Sequence, residues 1–177
     1  MTQSDPREMI ENARRGGYAV GAYNMHNEET TEALVWAAER ADSPIFLQVG
    51  RAIIPHVGVR RAYEMTKRIA EKSGAEYAIH LDHGSWDEAL EAIKLGFTSI
   101  MYDGAHLPFE ENIETTRKVV EIAHATAFRW KLSWAKFRTL VNRSTGKTII
   151  QMLKKLAVSL PKQVSTIWRF RSALFTA

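Results

Sequence analysis

Short apolar runs alternate with longer amphipathic segments along the first 125 residues of the chain. The apolar runs are nearly continuous rather than alternating with polar residues. Strands of this kind are buried on both faces, and this is typical of a parallel sheet covered by helices. The predicted strands cover residues 18–23, 44–49, 76–81 and 98–102.

The segments between these runs carry start and stop signals for helices. Asp5 followed by Pro6 is one start signal, Asn27 is a second N-cap, and Ser85 with Glu88 forms a capping box. The predicted helices cover residues 6–15, 28–40, 59–72, 86–95 and 108–125. The pattern therefore predicts an α/β fold with four strand–helix units after a leading helix.

Polar side chains follow the predicted strands at their carboxyl ends. They are Asn24, Gln48, the pair Asp82 and His83, and Asp103. In parallel α/β folds this edge of the sheet carries the active site. A polar residue at a strand end is also often only a cap, so Asn24 and Gln48 are weak signals by themselves.

The stretch H-L-D-H-G at residues 80–84 is the densest chemical feature of the sequence. Imidazole is a common zinc ligand, and a neighbouring carboxylate can move a proton. Side chains alternate along a strand, so Asp82 and His83 can serve one site only if the strand ends or bends, which Gly84 permits. Two structural histidines beside a helix-capping carboxylate are an equally good interpretation.

Asp103 offers a second acid at the same edge of the sheet, in the stretch D-G-A-H at residues 103–106. An ordinary turn would use the same residues, with Asp for its hydrogen bonds and Gly for its backbone freedom. Both interpretations of Asp103 stay open at this point.

Composition excludes several classes of protein. The chain has no cysteine, which rules out disulfides, thiolate zinc sites and thiol catalysis. The N-terminus lacks a signal-peptide pattern, and no apolar run approaches the ~20 residues of a membrane helix. We therefore expect a cytoplasmic protein with no membrane partner.

Charge divides the chain into two parts. Residues 1–125 hold all 20 acidic residues and 13 of the 24 Lys and Arg, a net charge of −7. Residues 126–177 hold the other 11 bases and no acid, and the strand–helix alternation stops there. A basic segment of this kind can bind nucleic acid or an anionic membrane, or it can be a segment never selected as protein.

The first 125 residues resemble the class II, metal-dependent fructose-bisphosphate and tagatose-bisphosphate aldolases. The resemblance rests on G-A-Y-N at residues 21–24, P-I-F-L-Q-V at 44–49, Y-A-I-H-L-D-H-G at 77–84 and S-I-M-Y-D-G-A-H-L-P-F-E-E-N-I at 99–113. The last two stretches are highly specific. The resemblance covers less than half of a family member, and it implies that residues 1–125 form part of an eight-unit TIM barrel.

The resemblance also implies a chemistry: reversible cleavage of a ketose bisphosphate to dihydroxyacetone phosphate and glyceraldehyde 3-phosphate. Zn²⁺ held by three histidines would polarise the ketose carbonyl. His83 matches the first ligand, Asp82 the acid/base that exchanges a proton with the aldehyde oxygen, and Asp103 an acid near the metal. Asp103, Asn24 and Gln48 are candidates for a second metal or substrate site.

The same resemblance implies a phosphorylated ketose as the partner, a homo-oligomeric parent protein and no nucleic acid. Two departures leave the details of phosphate binding open. Gly50 stands where the family often has a phosphate-facing Ser, and Ala105 stands where Ser is usual.

The basic segment also has an explanation in its codons. The family pattern continues after residue 125 with G-V-P-V-E-A-E-L-G-K and later A-V-S-I-G-T-x-H-G, and neither is present. Shifted by one base, codons for residues 127–136 can encode the first motif, and those for 167–177 can encode L-A-V-S-I-G-T-V-H-G. We therefore expect residues 126–177 to be an out-of-frame, poorly ordered translation and the chain to be a truncated, inactive aldolase.

Two other functions remain as alternatives. The chain can be a non-enzymatic half-barrel whose basic tail binds nucleic acid or a membrane, with tail aromatics stacking on bases. It can also be another metal-dependent barrel enzyme, although residues 126–177 contain no His, Asp, Glu or Cys to supply ligands.

Overall fold

Residues 3–125 of the 177-residue chain are described here from a computed structural model. They form five helices and four strands in alternation. The helices are α1 (Pro6–Gly16), α2 (Glu28–Arg40), α3 (Ile54–Ala70), α4 (Trp86–Leu95) and α5 (Phe109–Ala125). The strands are β1 (Gly21–Asn24), β2 (Ile45–Val49), β3 (Tyr77–Gly84) and β4 (Ser99–Tyr102). The predictions for residues 126–177, including an out-of-frame tail or a nucleic-acid-binding one, lie outside the described residues.

The four strands form one parallel sheet in the order β1-β2-β3-β4. A helix follows each strand, and after β1, β2 and β3 it returns the chain to the start of the next strand. This confirms the predicted α/β class, and the arrangement is that of four consecutive units of a (β/α)₈ barrel.

The core lies between the sheet and its helices. Ile45, Leu47 and Val49 of β2 are buried, whereas Phe46 and Gln48 between them are only half-buried. This alternation places every second residue of β2 against the helices and the others on the opposite face of the sheet. The helix-facing side of the sheet is continued by Ile79, Leu81 and Ile100.

The cap predicted for α4 is present. The Ser85 hydroxyl accepts a hydrogen bond from the Glu88 backbone N–H at 3.4 Å, and the Glu88 carboxylate accepts one from the Ser85 N–H at 2.6 Å. Gly96 ends the helix in the left-handed conformation. These bonds satisfy backbone donors that the first turn of a helix otherwise leaves unpaired.

We expect Ser85→Ala to lower the free energy of unfolding by about 1 kcal/mol, because one of those donors loses its acceptor. Urea denaturation followed by tryptophan fluorescence measures the change. Ser43→Ala is the matched control, because Ser43 is exposed and caps no helix. Equal effects of the two substitutions would contradict a capping role for Ser85.

Several predicted boundaries differ from the structure. Strand β1 begins at Gly21 rather than at residue 18. Helix α3 begins at Ile54 rather than at residue 59, because one turn precedes a kink where Gly58 adopts φ 78° and ψ 167°. Trp36 on α2 is 59% exposed, with the Arg40 guanidinium 4.7 Å from its ring centroid. Among the described helices, none is long and apolar enough to cross a membrane.

Candidate active site

A β-bulge shapes the end of β3, where the H-L-D-H-G stretch lies. Leu81 pairs with Ile100 and Gly84 pairs with Tyr102, so β3 has one residue more than β4 between these two pairs. His83 absorbs the extra residue with a φ of 57°, in the left-handed region that non-glycine residues seldom adopt. The side chains of Asp82 and His83 consequently no longer point to opposite faces.

The bulge brings Asp82 and His83 to one site and so provides the bend that a shared site requires. The Asp82 Oδ1 lies 4.0 Å from the His83 Nε2, and both side chains are partly buried. The left-handed residue is His83, however, and not Gly84, where the bend was expected. Glycine at position 84 serves a different need, because a Cβ there would collide with the Leu81 side chain.

Asp103 completes a three-residue cluster. Its Oδ2 lies 2.6 Å from the His83 Nδ1. An ionised carboxylate only accepts hydrogen bonds, so Nδ1 is the donor and, in the neutral ring, Nε2 keeps its lone pair. Metal-binding histidines commonly use a carboxylate in this way to fix the tautomer and the orientation of the ring.

The Asp103 carboxylate is itself held by the backbone. Its Oδ1 accepts a hydrogen bond from the Ala105 N–H at 3.0 Å, and the Asp103 N–H donates to the Gly84 carbonyl at 2.8 Å. The turn interpretation and the site interpretation of Asp103 are therefore compatible. One carboxylate oxygen closes the turn after β4, and the other holds the His83 ring.

Gly50 lies directly against Asp82. A Cβ at position 50 would lie 3.1 Å from the Asp82 carbonyl oxygen and 3.2 Å from its Cβ, closer than side chains ordinarily pack. A serine here, as the family often has, requires Asp82 or the β2 end to move by a few tenths of an ångström. The glycine thus leaves Asp82 its present position.

His80 lies on β3 just before the cluster, nearer the amino end of the strand, and it belongs to a row of polar residues that crosses the sheet. The register aligns Asn24 with Gln48, Gln48 with His80, and His80 with Ser99. In-register residues of parallel strands point to the same face, so these four share the face opposite the helices. Asn24 and Gln48 were predicted as polar strand-end residues and His80 as part of the H-L-D-H-G stretch, whereas no sequence signal pointed to Ser99.

His80 is a buried, neutral imidazole. Its Nδ1 lies 2.7 Å from the Ser99 Oγ, and the residue is 9% exposed. Burial lowers the pKa of His80 to about 4, and the nearby His83 adds to the shift. The sequence interpretation of a hydrogen-bonded structural histidine therefore fits His80, and the site interpretation fits His83.

The site residues predicted from sequence thus fall into two groups. Asp82, His83 and Asp103 meet in one cluster, whereas Asn24 and Gln48 lie in the row with His80, one step below on β1 and β2. Within residues 3–125, no three His, Asp or Glu side chains converge in a way that could hold a metal ion. Of the metal ligands that the resemblance implies, the described residues contribute His83.

Comparison with known proteins identifies the family of the chain. The family model for class-II fructose-bisphosphate aldolase matches residues 4–129. A fructose-bisphosphate aldolase of Streptococcus pyogenes is 42% identical over 121 residues, which are 67% of this chain and 41% of that protein. A probable fructose-bisphosphate aldolase of Bacillus subtilis is 46% identical over 121 residues, covering 66% of this chain and 42% of the relative.

A solved structure shares the fold. The YdjI aldolase from Escherichia coli K12 matches with a TM-score of 0.63 and 29% identity, over 70% of this chain and 47% of that protein. The chain thus spans less than half the length of the relatives it matches. On the extent of the family match and on these identities, the chain belongs to the class-II fructose-bisphosphate aldolase family.

Proposed function

We propose that this chain carries the first part of a zinc-dependent aldolase that cleaves fructose or tagatose bisphosphate to dihydroxyacetone phosphate and glyceraldehyde 3-phosphate. The observation that carries the proposal is the cluster of Asp82, His83 and Asp103 at the carboxyl ends of β3 and β4. It offers a proton carrier beside an imidazole whose tautomer is fixed for metal binding.

Each residue of the cluster has a separate role in the proposal. In the cleavage direction, Asp82 takes the proton of the substrate hydroxyl that becomes the aldehyde oxygen, and it returns that proton in the condensation direction. His83 presents Nε2 as one zinc ligand, and Asp103 holds the ring in that orientation. Zinc, when bound, supplies Lewis-acid polarisation of the substrate carbonyl.

The residues present fit one part of a zinc site. A lone imidazole is insufficient, because catalytic zinc takes three protein ligands and leaves one position for water or substrate. We therefore propose that the chain as written has little aldolase activity. We also propose that one of the two missing histidines is encoded in the neighbouring frame of residues 126–177, where the codons are compatible with G-V-P-V-E-A-E-L-G-K and with the histidine-containing L-A-V-S-I-G-T-V-H-G.

Two measurements test this proposal. Sequencing the coding DNA shows whether its bases encode these motifs in the neighbouring frame. The chain as written is then compared with a frame-restored chain, which is read in the neighbouring frame from residue 126 and continues through the codons after residue 177 until all three histidines are present. Both are assayed for cleavage of both bisphosphates. We expect cleavage only by the frame-restored chain, with loss of activity on chelation and recovery with zinc.

The possible failures are distinguishable. Zinc-dependent cleavage by the chain as written would contradict the proposed inactivity. DNA that cannot encode the two motifs would eliminate the shifted frame. A folded, frame-restored chain that cleaves neither bisphosphate would overturn the aldolase proposal itself.

A further inference from the structure

Arg51, in the loop after β2, binds the backbone of His83. Its Nη2 donates to the His83 carbonyl oxygen at 2.7 Å. The same guanidinium forms a two-pronged ion pair with Glu88, at 2.8 Å between Nη2 and Oε2 and 3.1 Å between Nη1 and Oε1. Such forked pairs fix the plane of the guanidinium as well as its position.

Glu88 is in turn fixed on α4. Its Oε2 accepts the Ser85 N–H at 2.6 Å, and its side chain is 18% exposed. Burial opposes ionisation of Glu88, but the hydrogen bonds from Ser85 and the charge of Arg51 outweigh it and lower its pKa. The carboxylate is therefore ionised at neutral pH, and the pair joins the loop after β2 to the start of α4.

The bulge needs such a support. A left-handed conformation is unfavourable for a residue with a Cβ, so His83 keeps it only if its surroundings hold it there. Rotation of the His83 backbone toward the extended region would turn both its carbonyl and its ring. Arg51 holds the carbonyl, and Asp103 holds the ring at Nδ1.

We propose that Arg51 and Glu88 are positioning residues for the proposed metal ligand. Glu88 holds Arg51, and Arg51 binds the His83 carbonyl oxygen and thereby keeps the His83 backbone in the left-handed conformation. This conformation places the imidazole between Asp103 and Asp82. The inference rests on the proposed function for its meaning, because it concerns the presentation of a metal ligand. The geometry that it predicts does not require zinc or substrate.

An ordinary ion pair between α3 and α4 provides a control. The Arg60 Nε lies 3.7 Å from the Glu91 Oε1, so this pair likewise ties α4 to a neighbouring part of the chain, but its side chains are more exposed than those of Arg51 and Glu88. Replacing Arg60 removes one arginine charge and its ion pairs with Glu91 and Glu64, and it leaves the bulge untouched.

The test is ¹⁵N NMR of the histidine rings in the 177-residue chain, labelled at histidine and measured above pH 7 without metal. In a neutral imidazole, the nitrogen without a proton resonates far downfield of the protonated one. We expect the His83 Nε2 of the unmodified chain at the downfield position. We expect R51M to shift Nε2 upfield and Nδ1 downfield toward averaged values, R51K to restore part of the shift, and R60M to leave both signals in place.

Three outcomes would overturn the proposal: unchanged His83 signals in R51M, equal shifts in R60M and R51M, or an unmodified chain with the proton on Nε2. If R51M does not fold, the same measurement is made on E88Q. This substitution weakens the ion pair that holds Arg51 and keeps a side chain of the same shape. A frame-restored chain without aldolase activity would leave these NMR outcomes unaffected, so the two proposals fail separately.

Discussion

Asp82→Asn in the frame-restored protein is expected to lower kcat for bisphosphate cleavage by about 10²- to 10⁴-fold, the usual contribution of a positioned acid or base. Asparagine keeps the size and hydrogen-bonding capacity of the side chain, but it cannot take a proton. Asp82 lies against Gly50 and beside the His83 Nε2, so an amide of the same shape fits the same space.

Asp87→Asn is the control for this substitution. Asp87 is exposed in the first turn of α4, so the change removes the same charge near the site without altering the cluster. Steady-state kinetics with fructose bisphosphate measure kcat and KM for each variant. Bound zinc, determined on the purified proteins, shows whether the metal site stays intact. Retention of more than about a tenth of kcat by Asp82→Asn would exclude Asp82 as the acid/base of the proposed reaction.

Local signals explain why so much of the fold was predictable. The capping box of Ser85 and Glu88, and Gly96 at the end of α4, act within a few residues of the sequence, and the structure contains each of them. The apolar runs that became β2 and β4 are similarly local signals, although each strand also carries one polar residue, Gln48 or Ser99, on the face opposite the helices. Four strands linked by helices then follow almost without choice, since such crossovers favour parallel neighbours.

The end of β3 was not predictable in the same way. The predicted strand stopped at residue 81, whereas β3 continues through Gly84 because of its pairing with Tyr102. The left-handed residue is His83 because Arg51 and Asp103 hold it there from other parts of the chain. Such contacts are distant in sequence, and no local pattern around residue 83 reveals them.

The same distinction applies to the candidate site. Carboxyl-end residues could be predicted to meet because parallel strands present these ends at one edge of the sheet, and Asp82, His83 and Asp103 do so. The part played by Arg51 could not be predicted. An arginine after a strand is common, and only the 2.7 Å bond to the His83 carbonyl distinguishes this one.

The second large effect is the loss of unfolding free energy at acid pH that His80 is expected to cause. Its pKa of about 4 in the folded chain lies below the ordinary value of 6.5, because burial disfavours the charged ring. Between these two values the unfolded chain binds a proton that the folded chain does not. The contribution of the neutral His80 ring to the free energy of unfolding is therefore fully present above pH 6.5 and is lost as the pH falls toward 4. A difference of this size corresponds to about 3 kcal/mol in the free energy of unfolding.

His80→Gln removes this titration while keeping a polar side chain near Ser99. Urea denaturation at pH 7 and pH 4 gives the loss of unfolding free energy for each protein, and carboxylates contribute to it in both. We expect the unmodified chain to lose about 3 kcal/mol more than His80→Gln over this range. His56→Gln, at an exposed histidine near the start of α3, should behave like the unmodified chain. Equal losses in the unmodified and His80→Gln proteins would mean that His80 takes up a proton in the folded state as readily as in the unfolded one. The neutral hydrogen bond to Ser99 would then not describe the protein in solution.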